Sequence, residues 1–145
     1  MRWKAGKLFK IQMDSEVCAY ALALQEPEFA FFNCFAPSAS PQEVLASELL
    51  WRLWVTRKAL KDPTWKLLCQ CKDIPEKFQN EVTRFKKDPL SGKYSLYIND
   101  SEISATKEQC FGLERAAAWS PEHVKDRLND HIKGIENIWE VSLRP

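Results

Sequence analysis

Glycine is scarce in this chain. Only four occur, at positions 6, 92, 112 and 134, so neither the Gly-x-Gly-x-x-Gly turn of dinucleotide enzymes nor the phosphate-cradling loop of nucleotide hydrolases can be assembled. Histidine is scarcer, with only His123 and His131. The chain has no His-Glu-x-x-His helix, no Gly-x-Ser-x-Gly elbow and no Cys-x-x-Cys pair, which removes the usual zinc-protease, hydrolase and thioredoxin signatures. No window approaches the ~20 apolar residues of a membrane-spanning helix, and the basic N-terminus is not followed by an apolar stretch of signal-peptide length. A cytoplasmic location is expected. The five cysteines (18, 34, 69, 71 and 110) are odd in number and mostly set in apolar or strand-like runs, the pattern of reduced thiols acting as small hydrophobes.

What is present describes one globular domain over residues 1–145. Hydrophobic residues make up 45% and charged residues 28%, enough apolar material for a core, and a chain of this length buries roughly 70% of its unfolded surface. The net charge is +1, but residues 52–93 carry eleven Lys or Arg against five Asp or Glu, leaving the remainder acidic. No RNA-recognition or helix-turn-helix pattern accompanies the basic stretch, so a solvated surface is the expected reading and a nucleic-acid-binding module the minor one.

Before residue 105 the pattern is mainly that of strands. Residues 8–13 alternate apolar and polar; 17–24, 29–35, 51–56 and 65–71 are short apolar runs bounded by turn residues, each the length of a strand. Ser40-Pro41 with Glu43 forms a capping box that predicts a short helix to about Leu49. Residues 58–63 predict a helical turn ended by Pro63. Asp88-Pro-Leu-Ser-Gly92 combines a turn-initiating proline with a glycine able to take positive φ, which predicts a hairpin spanning residues 82–98. Residues 73–80 read as a loop or a weak turn and 99–109 as a loop. Ser120-Pro121-Glu122 marks a second helix start, with Val124, Leu128, Ile132 and Ile135 expected to face inward and Gly134 to stop it. Residues 135–143 are expected to add a last strand or to pack over the sheet. The fold class is therefore α+β, mostly β: a twisted antiparallel sheet or partly open barrel with a short middle helix and a C-terminal amphipathic helix.

Candidate chemistry is thin. His123, Arg127 and Asp130 recur at i, i+4 and i+7 on one helical face, where a base, an anion clamp and an orienting carboxylate would make a small nuclease; an ordinary polar helix face fits the same spacing. Glu114 and Arg115 are expected to make a structural ion pair or to hydrogen-bond the hairpin. The six tryptophans at strand-like positions are expected in the core.

In order along the chain, Lys4-Ala-Gly-Lys-Leu-Phe-Lys-Ile11, Leu53-Trp-Val-Thr56 with Ala59-Leu60 and Trp65-Lys66, Phe85-Lys-Lys-Asp-Pro-Leu-Ser-Gly-Lys93, Gly112-Leu-Glu-Arg-Ala-Ala-Ala-Trp119 and Glu122-His-Val-Lys-Asp-Arg-Leu128 resemble the bacterial immunity protein 26 family. The departure is Asp62-Pro63-Thr64 before Trp65, where a glycine is expected. The resemblance implies a protein of polymorphic toxin and contact-dependent inhibition loci. Such a protein binds a cognate toxin, the C-terminal domain of a large secreted or surface protein, and neutralises it stoichiometrically. It implies no cofactor; no catalytic residue, metal, membrane or direct nucleic-acid contact is expected either. The positions that match (Gly6, Phe9, Trp54, Trp65, Pro89, Gly92, Glu114, Arg115, Trp119, His123 and Arg127) look chiefly architectural. The expected partner-binding residues are the polar helix face His123, Arg127 and Asp130 with the acidic Glu136 and Glu140. Against a nuclease toxin, such an acidic end would imitate phosphate and speed association.

Overall fold

The computed structural model describes residues 1–145. Nine strands form two open, mainly antiparallel sheets, and three α-helices and three 3₁₀ turns connect or cover them. Strands β1 (Lys7–Gln12), β2 (Cys18–Ala23), β3 (Glu28–Phe32), β4 (Leu49–Val55), β5 (Trp65–Gln70) and β9 (Ala118–Trp119) make a six-stranded sheet in the order β5-β1-β2-β3-β4-β9. All its neighbours are antiparallel except β4 and β9, which run parallel. A second sheet, β6-β7-β8, contains Arg84–Lys87, Tyr94–Ile98 and Ser101–Ala105. The fold is α+β and mostly β.

β2 is buried at all six positions because the six-stranded sheet is covered on both faces, and this is why its sequence is a continuous apolar run where a one-sided strand would alternate. On one face Phe9, Ile11, Phe29, Phe31, Leu53 and Val55 pack under Trp65, Trp119, Val124 and Leu128. On the other, Leu8, Tyr20, Leu22, Ala30 and Phe32 pack under Val44 of helix α1 (Pro41–Ala46) and Phe78. The α1 capping box forms in both directions, with Ser40 Oγ accepting from Glu43 N and Glu43 Oε1 accepting from Ser40 N, each at 3.2 Å. The helix ends at Ala46, short of Leu49: Ser47 turns extended, and Leu49 pairs with Phe32 at the start of β4.

The hairpin between β6 and β7 closes as the sequence predicts, through Asp88 and a left-handed Gly92 at φ 72°. Residues 99–109 are not a loop. Asn99 and Asp100 both take positive φ, 52° and 62°, the requirement of a two-residue hairpin turn, and β8 follows. It lies at a sheet edge with four of its five residues exposed, so no apolar alternation announces it. Residues 135–143 are likewise not a strand: helix α3 (Ile138–Ser142) begins where Asn137 Oδ1 accepts from Glu140 N at 2.9 Å.

A strap joins the two sheets. Phe85 N donates to Glu114 O at 3.1 Å and Ala116 N donates to Phe85 O at 2.9 Å, after which the same segment becomes β9 beside β4. The strap leads into helix α2 (Pro121–Lys133), capped by Ser120 Oγ, which accepts from His123 N at 3.2 Å, and closed by left-handed Gly134. Ser120→Ala is expected to cost about 1 kcal/mol of unfolding free energy, measured by urea denaturation. A change below a few tenths would mean the cap is not made.

Candidate partner-binding surface

The five residues expected at a partner surface all lie on α2, α3 and the turn between them, but most of their polar groups are engaged internally. Arg127 is 6% exposed. Its guanidinium donates Nη1 and Nη2 to the two carboxylate oxygens of Glu114 at 3.0 and 2.9 Å and lies over the rings of Trp51 and Trp119, 4.2 and 5.0 Å from their centroids. Arg127 shares a helical face with His123 and Asp130, but that face turns toward the strap and sheet, not toward water, so a partner cannot reach the guanidinium. Glu114 therefore pairs with Arg127, while the backbone beside it bonds the hairpin.

His123 stacks its ring on Trp139, with centroids 3.9 Å apart and planes 16° from parallel, and Trp139 Nε1 donates to Asp126 at 3.1 Å. Asp130 accepts from Asn137 Nδ2 at 2.9 Å, and Asn137 in turn caps α3. These contacts clamp α3 to α2. Glu140 pairs with Arg144 at 2.7 Å, and Glu136 reaches the same guanidinium at 3.7 Å; the acidic end thus carries its own cation, and only Glu136, with 76% of its side chain exposed, faces water freely.

Beside Glu136, several apolar side chains are exposed at this end. Ile132, Ile135, Ile138 and Val141 are 42%, 57%, 69% and 39% exposed. Two of these, Ile132 and Ile135, were expected to face inward. α2 buries only Pro121, Val124, Arg127 and Leu128; in its last turn the side that meets the sheet is carried by His131, whose ring lies 5.7 Å from that of Trp51 and 6.1 Å from that of Phe35, and Ile132 is turned to solvent. Ile138 and Val141, three apart on α3, extend the apolar side chains past Gly134. Single exposed apolar residues are ordinary; these four, spread over the end of α2, the turn and α3, concentrate exposed apolar side chains in one short segment, hereafter the α2–α3 ridge. The signal was readable as a run of spaced isoleucines; what sequence could not show was the absence of a cover.

Three of the eleven cations in the basic stretch 52–93 are met by acidic residues from outside it: Arg52 pairs with Glu28, Arg57 with Glu26 and Lys86 with Glu102; Arg57 holds the Glu26 carboxyl below the ordinary carboxylate range by hydrogen bonding and charge. Of the tryptophans, Trp65 and Trp119 are buried, and Trp3, Trp51, Trp54 and Trp139 are half-buried against them or at the layer margins. Cys69 and Cys71 pack against the same cluster as the strand order predicts, and burial with the adjacent Cys69 pushes the Cys71 thiol up to about 11. No helix is long and apolar enough to cross a membrane. No protein-family model, curated protein or solved structure matches the chain.

Proposed function

We propose that this chain is an immunity-type protein that binds a cognate toxin domain and neutralises it by stoichiometric inhibition. The observation that supports this reading is the α2–α3 ridge, exposed apolar side chains carried on a helix pair joined by its own hydrogen bonds and by the His123–Trp139 stack. Apolar side chains presented from ordered elements lose less freedom on docking and can act as anchors. The His123, Arg127 and Asp130 side chains serve the scaffold behind the ridge, and Glu136 adds negative charge at its margin, where a basic partner would be steered toward it.

The test is purification of the tagged chain from its native host, followed by neutralisation of the co-eluting species. A C-terminal domain of a large secreted or surface protein, recovered in equal amount and arresting growth only when expressed without this chain, is the expected result. A chain that recovers nothing and degrades RNA or DNA by itself would replace the proposal with the nuclease reading centred on His123. Within the complex, Ile138→Asp is expected to weaken binding by about 30-fold, roughly 2 kcal/mol, the loss of one interface anchor. Its thermal unfolding should stay unchanged because Ile138 is 69% exposed. Unaltered affinity in that variant would move the interface off the ridge.

A further inference from the structure

The five cysteines are all free thiols, but their sulfurs meet different surroundings. Cys18 Sγ donates to Gln12 Oε1 at 3.5 Å and Cys110 Sγ to the Thr106 carbonyl at 3.4 Å, and both residues are buried. Cys69 and Cys71 are only half-buried, and their thiols hydrogen-bond each other.

Strand geometry accounts for the pairing. Cys69 lies opposite Leu8 across β5 and β1, and the chain keeps its pairing past the end of β5 because Cys71 N donates to Gly6 O at 2.8 Å. With side chains alternating along the pleat, both sulfurs stand on the face that carries Leu8, Tyr20 and Leu22, and both pack against that cluster. β5 is the outer strand of its sheet, so the pair sits at a sheet edge within reach of solvent. Cys71 also lines a cleft of about 520 Å³ together with Lys4, Lys72 and Asp73.

Three kinds of chemistry suit two neighbouring thiols, and the geometry separates them. Two residues of extended chain hold their Cα atoms about 6.6 Å apart, at the long end for a disulfide, which also needs the Cβ atoms within about 4.5 Å. The Cys71–Gly6 bond, with a second from Gln70 Nε2 to the Ala5 carbonyl at 3.0 Å, ties this end of β5 to the N-terminal segment, so the two parallel side chains do not converge that far. Structural zinc takes four ligands, and no third His, Cys, Asp or Glu joins the two thiols. A soft monovalent cation is satisfied by two thiolate sulfurs and bridges them in line, spanning more than a sulfur–sulfur bond does.

We propose that Cys69 and Cys71 form a two-coordinate site for a soft monovalent metal ion, copper(I). The site does not depend on the ridge, on a protein partner or on the immunity reading. Burial first, and then the charge of Cys69 and the hydrogen bond with it, push the Cys71 thiol up to about 11, so a proton is held between the two sulfurs. Copper(I) takes its place: two S–H bonds break, two S–Cu bonds form, and both protons leave to water with no change of oxidation state. The loaded pair carries one net negative charge, and Lys4 and Lys72 against Asp73 leave the adjoining cleft one positive charge in excess to meet it.

The experiment is an anaerobic titration of the full chain with copper(I) against bicinchoninate, a coloured competitor, followed by X-ray absorption at the copper edge. One equivalent of copper should leave the competitor, and the spectrum should show two sulfur neighbours at the metal. Cys69→Ser and Cys71→Ser should each lower the affinity by more than the roughly 10- to 100-fold that loss of an outer-shell partner costs. Cys34→Ser should leave it unchanged, and thermal unfolding of each metal-free variant checks that the fold is kept. Failure to draw copper from the competitor would overturn the proposal. So would three or more sulfur neighbours at the metal, unchanged affinity in either Cys69→Ser or Cys71→Ser, or one zinc ion bound as tightly as copper. The titrations and the spectrum are read on the unmutated protein, so the result does not depend on how a variant folds.

Discussion

Phe29→Ala is expected to lower unfolding free energy by about 4 kcal/mol, within the range for removing a buried aromatic ring. Phe29 is fully buried in the central strand region and touches aromatic rings on several sides: Trp3 at 4.6 Å, Trp65 at 5.3 Å, Phe9 at 5.9 Å and Phe31 at 6.4 Å between centroids. Two of those contacts are edge-to-face, an arrangement that adds to the area term. The ring's neighbours come from β1, β3, β5 and the N-terminal segment, which cannot all move inward to fill the space, so the cavity term applies nearly in full. For a domain of this size the midpoint should fall by on the order of 10 °C. Calorimetry or urea denaturation measures it, and Phe111→Ala is the control, since Phe111 is 59% exposed. A loss near 1 kcal/mol would mean that the aromatic cluster collapses around the gap.

The second large effect belongs to Glu114 and Arg127. Glu114→Gln is expected to destabilise by about 3 kcal/mol, because it leaves the 6%-exposed guanidinium of Arg127 without its charge partner between two tryptophans. That figure is the lower end of the range for breaking a buried pair, chosen because 28% of the Glu114 side chain still meets solvent. The double variant Glu114→Gln with Arg127→Met should recover more than half of the loss. It removes the stranded charge while keeping apolar contact with Trp51 and Trp119. Additive losses in urea denaturation would show that the pair stabilises through its own attraction and not by relieving a buried charge. The pair also anchors the strap to α2, so Glu114→Gln should loosen amide-exchange protection at Ala116 and Phe85, where the strap bonds the second sheet.

These two sites explain why the molecule separates scaffold from surface so sharply around α2. The face bearing His123, Arg127 and Asp130 faces aromatic rings, the strap and α3. The apolar positions that begin as core at Val124 and Leu128 end as ridge at Ile132. In the last turn the sheet-facing side passes to His131, beside Trp51 and Phe35, while the apolar spacing continues on the exposed side.

Much of this fold is local and was therefore legible from the residues. Ser40-Pro41-x-Glu43, Ser120-Pro121 and Gly134 satisfy or release backbone groups within four residues of themselves, and Asp88 to Gly92 sets a turn through its own φ angles. Asn99-Asp100 and Asn137-x-x-Glu140 operate by the same local chemistry. The first was masked by a strand exposed at a sheet edge, the second by isoleucines and a tryptophan that suit a strand equally well.

The sequence by itself thus determined the starts of α1 and α2, the stop of α2, the hairpin, five of the six strands in the larger sheet and the α+β class, since each follows from backbone satisfaction or short-period patterning. Only the tertiary structure decided that Arg127 is buried and Ile138 is not. It also decided that acidic residues outside the basic stretch neutralise parts of it, that residues 114–119 tie two sheets together, and that Arg84 and Arg52 approach the same oxygen of Glu28. Burial and pairing of those groups depend on neighbours from 13 to 56 residues away, where Coulomb energy and desolvation act through space and leave no periodic trace along the chain.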